Sequence, residues 1–356
     1  MKNYRIDRKK GMEFGLYSLG DHMTNPETGK QISAQQRINE IIEASVLAEQ
    51  AGIDVFGLGE SHQKYFAGQA HSVILGAIAQ ATSKIKLAST ATVLSVADPV
   101  RVYEDFSTID LISDGRAEIV AGRGSRTGAY DLFGVDLQDY EEIFEEKLAL
   151  LKLLNENERI TWEGEFRAPL HNAEILPQPK EGNLPIWRAV GGPPASAIKA
   201  GYMGIPMMLT TLGGPAVNFA ASVDAYYEAA DRAGHNPAEL PLATTSLFYV
   251  ADSTQEALRG MYSHLDYGFK MIRGSGYPRQ QFAQAPHPHD ALMVGDKNQI
   301  IEKLLYQHEL FGMQRFMAQI DFGGVPFDKL MKNIEIIGND ILPTIKKYTA
   351  EKEGTN

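Results

Sequence analysis

Four short stretches carry residues whose types and spacing could do chemistry. Gly122-Arg123-Gly124-Ser125-Arg126 sets two guanidiniums among glycines, where backbone N–H groups can converge on an anion that the arginines neutralise. Solvated arginines at a turn are the alternative. The glycines at 122, 124 and 128 miss the dinucleotide fingerprint by one residue, and no helix is expected to open there. Gly191-Gly192-Pro193-Pro194-Ala195-Ser196 stands before a helix start, where free N–H groups and the dipole favour an anion and the Ser196 hydroxyl can add a bond. An ordinary Gly-Pro connection would look the same. Glu60-Ser61-His62 places an acid, a hydroxyl and an imidazole together, a grouping suited to proton transfer near neutral pH, although a lone loop histidine is more often structural. In Ser89-Thr90-Ala91-Thr92 an apolar strand loses its large side chains, which lets a flat ligand approach the backbone; a strand end packed beside a helix is the competing reading.

Other chemistries are excluded or weak. The chain has no cysteine, so disulfides, thiolate metal sites and cysteine nucleophiles are ruled out. His287-Pro288-His289-Asp290 resembles a metal cluster only loosely, and no metal site is expected. No Gly-x-Ser-x-Gly elbow, Walker loop or His-Glu-x-x-His motif occurs. With 34 basic and 45 acidic residues the net charge is −11, and Arg8-Lys9-Lys10 is the one basic run, so nucleic acid is not an expected partner. Met12 to Leu19 lacks the apolar core of a signal peptide, and no stretch approaches the roughly 20 apolar residues of a membrane span. A cytoplasmic protein is expected.

The elements that must position these residues follow from periodicity. Strands are expected at Met12–Leu19, Ile53–Leu58, from Lys84 into the small-residue stretch, and at Arg116–Ala121, Leu184–Val190, Ile205–Thr210, Pro241–Val250 and Arg315–Ile320. Helices are expected between them. Ser33 with Gln36 forms a capping box, and Ile38, Ile41, Ile42 and Val46 share a face before Gly52 stops the helix. Asp98 can cap the next helix but one, with Pro99 at its first position. Further helices are read at about 70–82, 139–154, 194–200, 215–233, 253–269, 296–310 and 326–346.

Eight strands each followed by a helix fit a closed α/β barrel of the (β/α)8 type, read as a single domain over 1–356 with its core at about 12–346. Two insertions interrupt it. The segment 155–183 is expected to be irregular, and 270–292, with three prolines, is either a lid or a mobile insertion. A barrel places its site at the C-terminal strand ends, which selects 18–21, 59–63, 89–92, 122–126, 191–194, 210–214 and 321–324. These share a small, Gly-rich and polar character with one Arg pair, as a planar cofactor bearing a phosphate would require.

Taken together, Glu60-Ser61-His62, Ser89-Thr90-Ala91-Thr92, Asp98-Pro99-Val100-Arg101, Asp114-Gly115-Arg116, Gly122-Arg123-Gly124 and Phe133-Gly134 resemble the motif set of the bacterial luciferase-like flavin-dependent monooxygenases. The resemblance runs over nearly the whole chain. It implies that Thr90 and Ala91 lie beneath the ring of FMN and are joined by a non-prolyl cis peptide, with Ser89 beside them. By the same resemblance Gly122, Arg123 and Gly124, with the turn from Gly191 and Gly192 to Ser196, hold the phosphate. The implied reaction is oxygenation of a small organic substrate by reduced FMN and O2. One departure is that Ser61 stands where the family has the first histidine of a pair, which leaves His62, beside Glu60, as the proton-transfer candidate. No NAD(P)H fingerprint is present, so a separate NAD(P)H-flavin reductase is the implied partner. Hydride transfer with F420 and flavin binding without turnover are the alternatives. The family's homodimers imply pairing through helices near strands two and three.

Overall fold

The computed structural model describes residues 4–124 and 128–351; Ser125 and Arg126 of the Arg pair lie outside the described residues. Eight parallel strands close into a barrel: β1 Glu13–Ser18, β2 Val55–Leu58, β3 Lys86–Ser89, β4 Ala117–Gly122, β5 Ile186–Val190, β6 Met207–Thr210, β7 Leu242–Ala251 and β8 Arg315–Gln319. Neighbours pair in chain order, β6 pairs β7, and β8 returns to β1 with Glu13 opposite Arg315 and Tyr17 opposite Gln319. The helices are α1 Ala34–Gln50, α2 His71–Ala81, α3 Pro99–Ile112, α4 Tyr140–Glu156, α5 Pro194–Met203, α6 Ala220–Arg232, α7 Thr254–Arg273, α8 Lys297–Phe311 and α9 Phe327–Ile336. The chain continues from α9 through a π-helical turn, Ile337–Ile341, into a last helix that ends at Thr349.

Side chains alternate along each strand, so registers sort them into two sets. Phe14, Leu16, Phe56, Leu87 and Ile119 pack outward into the main core against the helices, while Tyr17, Val55, Ala88, Val120, Trp187, Met208 and Met317 fill the barrel. Helix starts follow the caps read from the sequence. Ser33 Oγ accepts from Gln36 N, and Asp98 accepts from Val100 N with Pro99 at the first position. Arg116 explains the Asp-Gly-Arg turn. Asp114 and Gly115 both take positive φ, and the guanidinium is then buried against the carbonyls of Ala79, Thr82 and Ile85, satisfying the orphan end of α2.

Several expectations need correction. The segment 155–183 contains an antiparallel hairpin, Arg159–Trp162 with Leu170–Glu174, whose exposed residues give no alternating apolar signal. A helix does open after the glycine loop, at Gly128–Phe133, too short to show a period. The seventh strand carries an extra partner: Met293–Asp296 pairs with the C-terminal half of β7 at Phe248–Ala251. Lys270–Leu292 is partly regular, because α7 runs on to Arg273, stops at the left-handed Gly274, and is followed by the short helix Arg279–Phe282. Tyr277, Phe282 and Ala285 are buried there, and the buried Lys303 ammonium donates to the carbonyls of Ala285 and Leu292, tying the segment down.

Candidate active site

The C-terminal mouth of the barrel holds a cavity of about 380 Å³. Of the residues singled out from sequence, Glu60, Thr90, Ala91, Gly122, Arg123, Gly124 and Gly191 line it. Ser61, His62, Ser89, Gly192 and Ser196 are not among its lining residues.

The floor under one wall is a bed made by glycines. The Thr90–Ala91 peptide is cis, and two strand glycines, Gly57 and Gly122, and Gly59 just past β2 lie against it. A Cβ on Gly57 would come within 2.6 Å of Thr90 Cγ2, one on Gly122 within 3.0 Å of Ala91 Cβ, and one on Gly59 would collide with the Thr90 carbonyl oxygen. Larger residues at these positions would displace the turn, so the glycines are needed for close approach. Ser89 sits behind the bed. Its hydroxyl accepts from Val120 N at 2.9 Å and donates to Val120 O at 3.2 Å, replacing ladder bonds where β3 parts from β4. Thr92–Val93 then resumes pairing with β4 at Ala121 and Gly122.

Glu60 is the acid of the site. One carboxylate oxygen lies 2.6 Å from His62 Nε2 and the other accepts from Val93 N at 2.7 Å. His62 packs edge-on against Phe133 at 4.9 Å between ring centres, so its ring holds Glu60 and does not face the cavity. His71, buried behind them, reaches Thr92 Oγ1 at 2.8 Å, and burial lowers its pKa.

Next to the bed's Gly122, Arg123 Nη1 meets Glu141 Oε1 at 2.8 Å and lies 3.4 Å from the Tyr140 hydroxyl, with the guanidinium over the Tyr140 ring. Gly191 offers open space where a Cβ would stand. Ser196 faces away from the cavity toward Arg188, whose Nε lies 3.4 Å from its hydroxyl. Arg188 is fully buried and grips Glu145 with both Nη atoms at 2.6 and 2.8 Å. Burial alone would raise the Glu145 carboxyl, and the Arg188 and Lys199 contacts bring it below its usual range.

Sequence reading missed Tyr17, Met208, Thr245 and Gln319, which line the deep part of the cavity. Their signal is positional: all are inward strand residues, Tyr17 and Gln319 near the C-termini of β1 and β8, Thr245 level with Thr210 at the end of β6, and Met208 level with Ala189. Tyr17 donates to Gln319 Oε1 at 2.9 Å, which leaves Gln319 Nε2 buried without a partner. Thr90 Oγ1 and Thr245 Oγ1 are likewise buried and unpartnered. Buried polar atoms are nearly always paired, so this grouping marks a surface complementary to a polar ligand. A flat ring on the Thr90–Ala91 bed, polar contacts from these groups and a phosphate at Arg123 fit the residues present.

Residues 12–314 match the family described as luciferase-like monooxygenase. The chain belongs to that family. Among its relatives, the oxygenase component of a flavin-dependent trigonelline monooxygenase from Acinetobacter baylyi is 23% identical over 96% of this chain and 98% of that protein. The FMN complex of the oxygenating constituent of 3,6-diketocamphane monooxygenase from Pseudomonas putida superposes with TM-score 0.73 at 20% identity, covering 94% of this chain and 98% of the other. An F420-dependent secondary alcohol dehydrogenase superposes with TM-score 0.71 at 18% identity, covering 94% and 99%. Membership in the luciferase-like family thus comes with flavin and deazaflavin relatives that share the barrel. Among the described residues no helix is long and apolar enough to cross a membrane, and no group of three or more His, Cys, Asp or Glu side chains could hold a metal ion.

Proposed function

We propose that the protein is the oxygenase of a two-component FMN monooxygenase, taking reduced flavin from a separate reductase and oxygenating a small organic molecule. The observation that carries this reading is the glycine-lined Thr90–Ala91 bed with Arg123, the residue after the bed's Gly122, lining the same cavity. Thr90, Ala91 and Gly122 would support the ring, and Arg123 with the Gly191–Gly192 backbone would hold the phosphate. Bound reduced FMN supplies the activation of O2. The chain's own residues confine the reaction: Tyr17 and Met208 wall the inner part of the cavity, and Leu19 and Leu212, just past the ends of β1 and β6, add apolar surface at its mouth. Glu60 is the carboxylate among the lining residues, and His62 orients it from behind through the 2.6 Å contact. Glu60 therefore carries the proton-transfer role, with His62 as its positioning residue.

The relative from Acinetobacter baylyi is named as an oxygenase component, which supports delivery of reduced flavin by a partner. Pairing of two copies through α2 and α3 is supported by the exposed Val73, Leu111 and Ile112 on those helices. Anaerobic titration of the full chain with reduced FMN and with F420 tests the cofactor. Saturable binding of reduced FMN is expected, and tight F420 binding without FMN binding would replace this reading with hydride transfer, which the shared fold of the F420-dependent dehydrogenase favours as the second reading.

A further inference from the structure

Arg123 is the cation that the cavity offers to a phosphate, yet it is already engaged. Glu141, in the first turn of α4, lies 2.8 Å from Arg123 Nη1 through one oxygen, and its other oxygen is 3.7 Å from Lys199 Nζ on α5. The Tyr140 hydroxyl lies 3.3 Å from the same Glu141 oxygen that meets Arg123. A carboxylate bridged between an arginine and a lysine, with a phenol beside it, reproduces the partners a phosphate monoester would take. Lys199 also contacts Glu145 at 3.2 Å, and Glu145 is fixed on Arg188, so Glu141 is the member of this cluster with freedom to move.

We infer that Glu141 is an internal counter-anion that competes with the phosphate of the cofactor for Arg123. The inference rests on the proposal that a phosphate-bearing flavin occupies this cavity. Phosphate binding then displaces the carboxylate from Arg123 toward Lys199, and part of the phosphate's attraction is offset by breaking that ion pair. The affinity for a phosphorylated flavin is set below what Arg123 alone would give, while a flavin without phosphate leaves the pair intact. Such a device suits a cofactor that must arrive from another protein and leave again.

The test compares dissociation constants of FMN and riboflavin, read by flavin fluorescence, for the full chain and for Glu141→Gln, Glu142→Gln and Arg123→Ala. Glu142 is the exposed neighbour in the same turn, so its substitution removes the same charge from the same helix. Both Glu141 and Arg123 are partly exposed, which limits the pair to about a three- to fivefold effect on binding. Glu141→Gln is expected to tighten FMN by that factor and leave riboflavin unchanged, with Glu142→Gln giving less than half the gain. Equal gains from both substitutions, or equal gains for both flavins, would overturn the competition while a loss of FMN affinity in Arg123→Ala kept the phosphate at Arg123. If Arg123→Ala left FMN affinity unchanged, the phosphate placement and the competition would fall together.

Discussion

The two ends of the barrel are made from the same eight strands and treat buried polar groups in opposite ways. At the N-terminal end Arg315 donates to both oxygens of Glu118, at 2.6 and 3.0 Å, and to Glu13 at 2.8 Å, while Trp187 Nε1 donates to Glu118 and Lys86 pairs with Glu13. Burial would raise the Glu118 carboxyl, but Arg315 and Lys86 outweigh it and hold the group below its ordinary range. At the C-terminal end Thr90, Thr245 and Gln319 each keep a buried atom without a partner. Just behind them, Asp21 and Asp321 are fully buried; burial raises both, and their mutual repulsion pushes Asp21 further, to about 7. One end completes its own hydrogen bonding. The other leaves buried polar atoms for the proposed ligand to satisfy, a division that would let one fold separate stability from function.

Breaking the closed end should give the largest effect. Arg315→Leu leaves Glu118 and Glu13 buried without their cation, and loss of a buried pair's partner costs roughly 3–5 kcal/mol. Urea unfolding of the variant should show a loss of that size, and a loss below about 1 kcal/mol would show that the network contributes far less than its geometry implies. The open end should respond to pH. Asp21 has a raised pKa in the folded state, so its contribution is fully present below the unfolded carboxyl's value of 3.8 and is lost as pH rises through about 7. Stability should therefore fall by roughly 4 kcal/mol across that window from this group, about 1.4 kcal/mol for each pH unit, and Asp21→Asn should flatten the decline in a series of urea melts. A pH profile identical in the variant would mean that Asp21 stays ionised. Next in size is Gly59→Ala. The new methyl would meet the Thr90 carbonyl, which is backbone and cannot swing aside, so a cost of roughly 1–3 kcal/mol is expected with loss of flavin binding. Unchanged flavin affinity would remove the bed from the site.

The contrast also explains what was legible in the sequence. Strands β1 to β8 and their helices could be read because βα alternation repeats and the caps at Ser33 and Asp98 are local chemistry. The bed was legible as a run of small residues, Ser89 to Thr92, and Arg123 as an arginine among glycines. Ser89 and Ser196 share that small polar character but turn away, toward Val120 and Arg188, because side-chain direction depends on strand and helix phase. Tyr17, Thr245 and Gln319 carry no local motif. They become site residues only when register brings the C-terminal ends of β1 and β8 beside Thr245 within β7, and that information is long-range. The hairpin Arg159–Trp162 with Leu170–Glu174 was illegible because its faces are largely solvent-exposed and need no alternation.

The smallest effect gives the sharpest test, because its sign differs between the two ends. Thr90→Val keeps the shape of the side chain and removes a buried hydroxyl oxygen that has no partner. At the closed end, deleting a polar group breaks a satisfied bond and must destabilise. Here nothing is broken, and an uncompensated desolvation cost disappears, so the ligand-free protein should gain up to about 1 kcal/mol in stability. The same change should weaken flavin binding a few-fold, since a hydroxyl that contacts the ligand would be gone. Thermal melts with and without FMN read both effects in one experiment, as a raised Tm for the free protein and a smaller shift on adding FMN. If Thr90→Val lowered the Tm of the free protein, the hydroxyl would already have a partner there, and the C-terminal end would resemble the closed one.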